Sequence, residues 1–271
     1  MSKRLKLGVV GDPIEHSLSP FIHSRFSRNE NININYLAYK VNDDDFDSFI
    51  KEFFQDKEAR GLNITLPHKK RAAMIEGKIS QEAQYINAVN TIVNKDNMLH
   101  LFSTDGVGFI NDIESKKFSL KDKNILIIGA GAAVESILYR VAKAKPFKIT
   151  IINRTIEKAE RLIRKFANMT KMQTKFEQDE PFDLIINGTS AGLTGEFSPE
   201  ENIPTDLNTH FYDLNYSLTE TPFCKWANEK SDIVYDGMGM LVCQAAHSFE
   251  KWFNVFPNID TVINDLNQMR E

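Results

Sequence analysis

Residues 124–152 constrain the fold of this chain more than any other stretch. After Asn124, positions 125–128 are four aliphatic residues in a row, which suits a strand buried on both faces. Gly129-Ala130-Gly131 then makes a tight turn, residues 132–145 read as a helix, and residues 148–152 form a second, β-branched strand. Strand, glycine turn, helix and strand in this length make one βαβ unit. A chain built around it belongs to the α/β class, with parallel layers.

The rest of the sequence supports that class. Short apolar runs at 5–10, 36–41, 62–65, 184–186, 211–214 and 233–235 read as strands, with the run at 62–65 stopped by Pro67. Residues 88–94 and 98–103 form a hairpin pattern around Asp96-Asn97. Helical stretches cover 240–253 and 259–269, and a further one at 44–54 puts Phe46, Phe49, Ile50, Phe53 and Phe54 on one face as core. A length of 271 residues suits one large domain or two ordinary ones. The polar stretch at 115–122 is the candidate boundary, with a helix from Gly106 able to carry the chain across it.

Composition enters mainly through exclusions. With 42% hydrophobic and 26% charged residues the chain is no disordered polymer, and a net charge of −4 gives no nucleic-acid footprint. The longest apolar stretch, 125–134, is too short to span a bilayer, and Met1-Ser2-Lys3-Arg4 is followed by no signal-peptide core, so no membrane and a cytoplasmic location are expected. Cys224 and Cys243 form no CxxC pattern and are expected as buried, reduced thiols. The six histidines show no ligand spacing, so no metal is expected.

The glycine turn suggests a dinucleotide site. Gly129, Ala130, Gly131, Ala132 and Ala133 run into the start of a helix, whose N–H groups and dipole favour a pyrophosphate. An NAD-selective site usually carries an acid after the second strand. This chain has Asn153, Arg154 and Thr155 there, with Lys158 a helical turn on. A guanidinium and a hydroxyl suit the 2′-phosphate of NADP(H). The plainer alternative is a solvated Arg154 and a helix-capping Thr155.

Several further segments resemble one family, the shikimate dehydrogenases, over nearly the whole chain. They are Gly11-Asp12-Pro13-Ile14-Glu15-His16-Ser17-Leu18-Ser19-Pro20, Gly61-Leu62-Asn63-Ile64-Thr65-Leu66-Pro67-His68-Lys69, Ala88-Val89-Asn90-Thr91 and Thr104-Asp105-Gly106. After the glycine turn and Asn153-Arg154-Thr155 come Asn187-Gly188-Thr189-Ser190-Ala191-Gly192, Asp213-Leu214-Asn215-Tyr216 and Gly237-Met238-Gly239-Met240-Leu241-Val242-Cys243-Gln244. The resemblance implies a substrate-binding domain, residues 1–104 with 240–271, and a Rossmann-type NADP-binding domain, residues 105–239, with an active-site cleft between them. It implies the reversible NADPH-dependent reduction of 3-dehydroshikimate to shikimate, on the route to aromatic amino acids. A small molecule is then the expected partner, and a monomer and a homodimer both suit the chain.

The resemblance also distributes roles. Lys69 and Asp105 are the expected catalytic pair. An ammonium stabilises and protonates a developing alkoxide, and a nearby carboxylate keeps it charged. Either one is the formal proton donor at this level of reading. Lys69 also sits in a basic run with Lys70 and Arg71, which alone reads as a solvated helix face. Ser17 and Ser19 are expected to grip the substrate carboxylate if their loop is extended, with Ser19 as a helix N-cap the alternative. Asn63 and Thr65, on one side of a strand, and Asn90 are expected to point into the cleft. Tyr216 and Gln244 match substrate contacts, Gly237 matches a position against the nicotinamide, and Asn187, Thr189 and Leu214 are expected to line the cofactor channel. His16 and His68 receive no role. Ala132 stands where the family usually has glycine, and Glu135 would repel a pyrophosphate if it turned inward.

Overall fold

Asp96 and Asn97 decide how the first sheet is built. Both take positive φ, 53° and 58°, the backbone of a two-residue hairpin turn. The computed structural model, which describes residues 4–190, 196–199 and 202–270, therefore has β5 (Thr91–Lys95) running straight back as β6 (Met98–Phe102). The other strands of this sheet are β1 (Leu5–Gly11), β2 (Ile34–Lys40), β3 (Ala59–Ile64) and β4 (Lys78–Ile79), in the order β2-β1-β3-β5-β6-β4. Strand β1 is parallel to β2 and β3, while β5 is antiparallel to β3 and β6. The sheet is thus mixed, parallel at β1–β3 and antiparallel where the expected hairpin around Asp96-Asn97 forms. A tight hairpin permits only antiparallel pairing.

This register matters for chemistry. Asn63 pairs with Thr91, and Thr91 pairs with Phe102. The end of β3, the start of β5 and the end of β6 therefore meet at one edge of the sheet. Helices α1 (Ser19–Asn29), α2 (Phe46–Phe53), α3 (Lys69–Ala72) and α4 (Gln81–Ile86) belong to the same unit. On α2, Phe46, Ile50 and Phe53 are buried in one cluster against which Phe49 and Phe54 also pack.

Two compact units make up the chain: Met1–Gly108 with Val242–Asn267, and Phe109–Leu241 with Gln268–Glu271. The chain passes from one to the other inside α5 (Asp105–Ser115) and inside α9 (Met238–Phe253). The polar stretch at 115–122 lies within the second unit after Ser115 ends α5. In the first unit, the C-terminal half of α9 is fixed to the sheet by Trp252. Its fully buried indole donates to the Ile92 carbonyl at 2.9 Å, and Arg60 donates to the Trp252 carbonyl. Gly61 makes room for it, since a Cβ there would fall 2.1 Å from the indole nitrogen.

The second unit holds a six-stranded sheet of β7 (Asn124–Ile128), β8 (Lys148–Ile152), β9 (Met172–Gln173), β10 (Leu184–Asn187), β11 (His210–Asp213) and β12 (Val234–Tyr235). Every pair is parallel, and the order is β12-β11-β10-β7-β8-β9. Counted from β7, this is the 3-2-1-4-5-6 order of the doubly wound dinucleotide fold. All five residues of β7 are buried, as a central strand covered on both faces must be. Helix α6 (Ala132–Lys143) follows the glycine turn, and α7 (Ile156–Phe166) and α8 (Pro222–Asn228) follow later strands. α6 ends two residues earlier than the sequence pattern suggests, and Lys145 is in the left-handed region with φ 57°. α10 (Asp260–Gln268) closes the chain.

Candidate active site

In the second unit, the turn after β7 meets the loop after β10 where the strand order reverses. Gly129 has φ +111°, and a Cβ on it would lie 3.0 Å from the Gly188 carbonyl and from Thr189 Cγ2. Only glycine suits that backbone and that gap. Gly131 N-caps α6, and a Cβ there would meet only the Gly188 carbonyl oxygen, at 4.0 Å. The space above the first turn of α6 is open, and Ala132 and Ala133 are exposed beside it. This cradle fits the pyrophosphate of a dinucleotide.

Some expected cofactor residues shape the cradle instead of facing a ligand. The Ala130 N–H donates to Asn153 Oδ1 at 3.1 Å, and the Asn153 amide donates to the Thr155 carbonyl. Asn187 is fully buried, so the expectation that it lines a channel is corrected. Its amide donates to Asp213 and its oxygen accepts from the Thr189 N–H and hydroxyl. Asp213, also fully buried, accepts from Thr221 and Asn215 as well. Burial pushes the Asp213 carboxyl upward and these donors oppose the shift. Asn215 in turn donates to the Thr189 carbonyl at 2.9 Å. Asp213 and Asn215, which received no role from the sequence, therefore hold the loop at Thr189.

Arg154, Thr155 and Lys158 are exposed after β8. Thr155 stands at the N-cap of α7 without a side-chain cap bond, so its hydroxyl is not used by the helix. Glu135 is drawn to Lys165 at 2.8 Å, which neutralises the carboxylate that would have opposed a phosphate. Leu214 and Tyr216 are partly exposed, and burial raises the Tyr216 phenol. Gly237 lies so close to the main chain of Leu214 that a Cβ would fall 2.5 Å from its carbonyl oxygen. Ala191 and Gly192 of the quoted motif, like Met1, Ser2 and Lys3, lie outside the described residues.

In the first unit, Lys69 Nζ lies 2.6 Å from Asp105 Oδ2. The other carboxylate oxygen accepts from the Asn90 amide at 2.9 Å. The side chains are 19% and 8% exposed, so the pair is shielded but reachable. Lys69 opens α3, and its carbonyl accepts from the Val89 N–H, next to Asn90. His68 fixes this turn from inside. It is fully buried, stacks on Phe46 at 4.7 Å, and its Nε2 lies 2.7 Å from the Val41 carbonyl, so that nitrogen donates. Arg71 turns instead to Asp47 at 2.8 Å, and Lys70 is exposed.

Asn90 is the centre of the cluster. The Thr104 N–H lies 2.8 Å from one of its side-chain atoms, and a backbone N–H only donates, so that atom is Oδ1. The amide nitrogen therefore faces Asp105 Oδ1, Thr104 Oγ1 and Gln244 Oε1. Asn63 differs from expectation. It is buried, its oxygen accepts from Tyr36, and its amide nitrogen serves the Asn90 carbonyl, Thr91 and Ser248. It faces inward because Tyr36 of β2 and Ser248 of α9 cover its side of the sheet. Thr65 lies one residue beyond β3 and is partly exposed.

The loop carrying Ser17 and Ser19 is turned, not extended. Leu18 has φ −80° and ψ −6°, and the Ser17 N–H donates to the Ile14 carbonyl. Leu18 is the N-cap of α1, so Ser19 is its first residue rather than its cap, and Ser19 is 8% exposed. The Ser17 hydroxyl accepts from the Ser19 N–H at 3.3 Å. Ser17 is the more open of the two. The Asp12 N–H donates to the Leu66 carbonyl, which joins this loop to the one that carries Lys69.

A doubly wound nucleotide fold, joined in one chain to a unit with a shielded lysine–aspartate pair, defines the class of two-domain nicotinamide-nucleotide oxidoreductases. Family models match in three places: "Shikimate dehydrogenase substrate binding domain" over residues 9–92, "Shikimate / quinate 5-dehydrogenase" over 112–194, and "Shikimate 5'-dehydrogenase C-terminal domain" over 237–264. The chain is 40% identical over 266 residues to the shikimate dehydrogenase (NADP(+)) of Legionella pneumophila (strain Lens), covering 96% of this chain and 98% of that one. The shikimate dehydrogenase structure from Aquifex aeolicus matches with a TM-score of 0.87 and 29% identity over 98% of each chain. The shikimate 5-dehydrogenase of Thermus thermophilus, solved in complex with shikimate, gives 0.86 and 29% over 98% of this chain and 99% of that one. This chain belongs to the shikimate dehydrogenase family. Among the described residues, no helix is long and apolar enough to cross a membrane, and no group of three or more His, Cys, Asp or Glu side chains is arranged to hold a metal ion.

Proposed function

We propose that this protein catalyses the reversible NADPH-dependent reduction of 3-dehydroshikimate to shikimate, a step of aromatic amino-acid biosynthesis. The observation that carries the reading is the Lys69–Asp105 pair at 2.6 Å with its second carboxylate oxygen held by Asn90, in a chain of this family. Residues 1–104 with 240–271 bind the substrate and residues 105–239 the cofactor. The first turn of α6 at Gly131, Ala132 and Ala133 holds the pyrophosphate, Arg154 with Thr155 and Lys158 holds the 2′-phosphate, and Leu214, Thr189 and Gly237 flank the nicotinamide. When bound, NADPH supplies a hydride to the carbonyl carbon.

The chain's own residues manage charge and proton. The Lys69 ammonium faces the carbonyl oxygen, stabilises the growing negative charge and passes a proton to it, which yields the alcohol. Asp105 orients that ammonium through their 2.6 Å contact and accepts from a substrate hydroxyl. The carboxylate of the substrate meets Ser17 and Ser19, and its hydroxyls meet Thr65, Asn90, Gln244 and Tyr216. In the oxidative direction the neutral amine takes the proton back. The protein works on this small molecule in the cytoplasm, as a monomer or homodimer, without nucleic acid or membrane.

The test is the appearance of reduced-nicotinamide absorbance when protein meets shikimate with NADP, then shikimate with NAD, then quinate with each. Shikimate with NADP should turn over fastest. Lys69→Ala should lower kcat by about a thousandfold, the scale of a lost acid–base group. Turnover that persists in Lys69→Ala removes the lysine from the mechanism. Absence of turnover with every pair, in protein that binds NADP, overturns the enzyme reading.

A further inference from the structure

Beneath the lysine–aspartate pair lies a cluster of buried hydroxyls that the reaction itself does not require. Thr91 and Thr104 come from the two ends of the hairpin edge, and Ser248 comes from α9. All three are buried. Their oxygens lie close together: 2.8 Å from Thr91 to Ser248 and 3.2 Å from Thr104 to Ser248. They join Asn63, Asn90 and Gln244, which otherwise stand far apart in sequence.

Groups that can only donate or only accept fix the direction along the path from Asn63 to Asn90. At one end, the Asn63 amide donates to the Asn90 carbonyl, which only accepts, so the same nitrogen donates to Ser248 at 2.9 Å. At the other end, the Thr104 N–H fixes Asn90 Oδ1 as an acceptor, so the Thr91 hydroxyl 2.8 Å away must donate to it. The Thr91 proton is then occupied. In the bond between Thr91 and Ser248 the serine is therefore the donor, and it shares its proton with the Gln244 carbonyl at 3.0 Å. Tyr36 donates into the far side of Asn63 at 2.7 Å. The result is a one-way sequence: Tyr36 to Asn63, to Ser248, to Thr91, to Asn90, to Asp105, which accepts from Lys69 on its other oxygen.

We infer that Thr91 and Ser248 are positioning residues that hold the Asn90 amide turned toward Asp105. Neither touches the pair directly. Reversal of the Asn90 amide would put a carbonyl oxygen 2.9 Å from a carboxylate oxygen and a donor against the Thr104 N–H, and the hydroxyl pair adds one more bond against that reversal. The inference rests on the proposed lysine–aspartate chemistry, but the orientation itself does not depend on which substrate is turned over.

Two measurements separate these levels. In the first, the side-chain amide resonances of Asn90 are followed by NMR in the wild type, Thr91→Val, Thr91→Ser and Ser248→Ala. Thr91→Val and Ser248→Ala should move those resonances and speed their exchange with solvent, and Thr91→Ser should leave them near the wild type. Unmoved resonances in both deletions overturn the inference, whatever the enzyme's substrate proves to be. In the second, kcat and KM are measured with shikimate and NADP. Thr91→Val should lower kcat by about tenfold, the scale of one hydrogen bond, with the KM for NADP unchanged and activity restored in Thr91→Ser. The Thr91→Val/Ser248→Ala double variant should lose little more than Thr91→Val alone, because both act through Asn90. Wild-type kcat in Thr91→Val, or losses that multiply in the double variant, would remove the shared positioning role. A wild-type protein inactive on shikimate, with the Asn90 resonances shifted as expected, overturns the proposed reaction and leaves the orientation intact.

Discussion

Lys69 stands in a run of three basic residues, and the run alone does not separate it from Lys70 or Arg71. Tertiary position does. Lys69 faces Asp105 and is shielded, Arg71 faces Asp47, and Lys70 is exposed. Arg154 is different, since its proposed role rests on its exposed place after β8 and on charge alone. Arg154→Ala should raise the KM for NADP by about tenfold or more, the value of a charge-assisted phosphate contact, and leave the KM for shikimate unchanged. An equal rise in both would remove the 2′-phosphate role. His23 carries a prediction of stability. Its ring is fully buried, stacked on Tyr36 at 4.3 Å, and burial drives its pKa from 6.5 to about 3 against a small opposing effect of Asn63. Between those values the unfolded chain binds a proton that the folded chain does not. Stability is therefore complete above pH 6.5 and falls as pH drops toward 3, by up to about 1.4 kcal/mol per pH unit from this group. Urea unfolding at pH 7 and pH 5 should show a shallower loss for His23→Leu than for the wild type. Equal losses would show that His23 is not the source.

At the scale of elements, the glycine turn and its flanking strands follow from local sequence because each step has a local cause. An aliphatic run buries itself, and glycine takes the positive φ at 129. The two-residue hairpin at Asp96-Asn97 is legible for the same reason. The loop at Ser17 is not. Alternation of side chains applies to extended backbone, and Leu18 is helical in φ and ψ. Asn63 also obeys strand alternation, but which face is interior depends on what covers the sheet. Here Tyr36 from β2 and Ser248 from α9 meet it. Gly61 gives the element-scale prediction. A methyl group at 61 would collide with the Trp252 indole and the Ile92 carbonyl, at 2.1 and 2.4 Å, and neither can yield without losing the bond between them. Gly61→Ala should therefore cost about 3–5 kcal/mol, comparable with emptying a large buried aromatic site, and should lower Tm markedly. An unchanged Tm would mean that α9 docks differently.

At the scale of the whole molecule, the chain builds two units with separate cores, to which the proposed function gives separate duties. The Lys69–Asp105 pair lies in the first, and the glycine turn lies in the second. Substitutions at one chemistry should therefore spare binding at the other. Lys69→Ala protein should keep the rise in Tm that NADP gives the wild type, a shift set by ligand concentration over Kd, while losing turnover. Loss of NADP protection in folded Lys69→Ala would couple the two functions more tightly than this division allows.

The sequence by itself determined the class of fold, the family and the cradle for a dinucleotide. Those depend on short-range causes: aliphatic runs, glycine at a positive φ, and motif residues kept in order along the chain. Only the tertiary structure decided that Asn187 and Asn63 face inward, that Ala130 gives its N–H to Asn153, and that Thr91, Thr104 and Ser248 support Asn90. A polar side chain near a site has the same identity whether it faces ligand or core. Which it does is set by partners from other strands and helices, and those come within hydrogen-bond distance only when the sheet register and the docking of α9 are fixed.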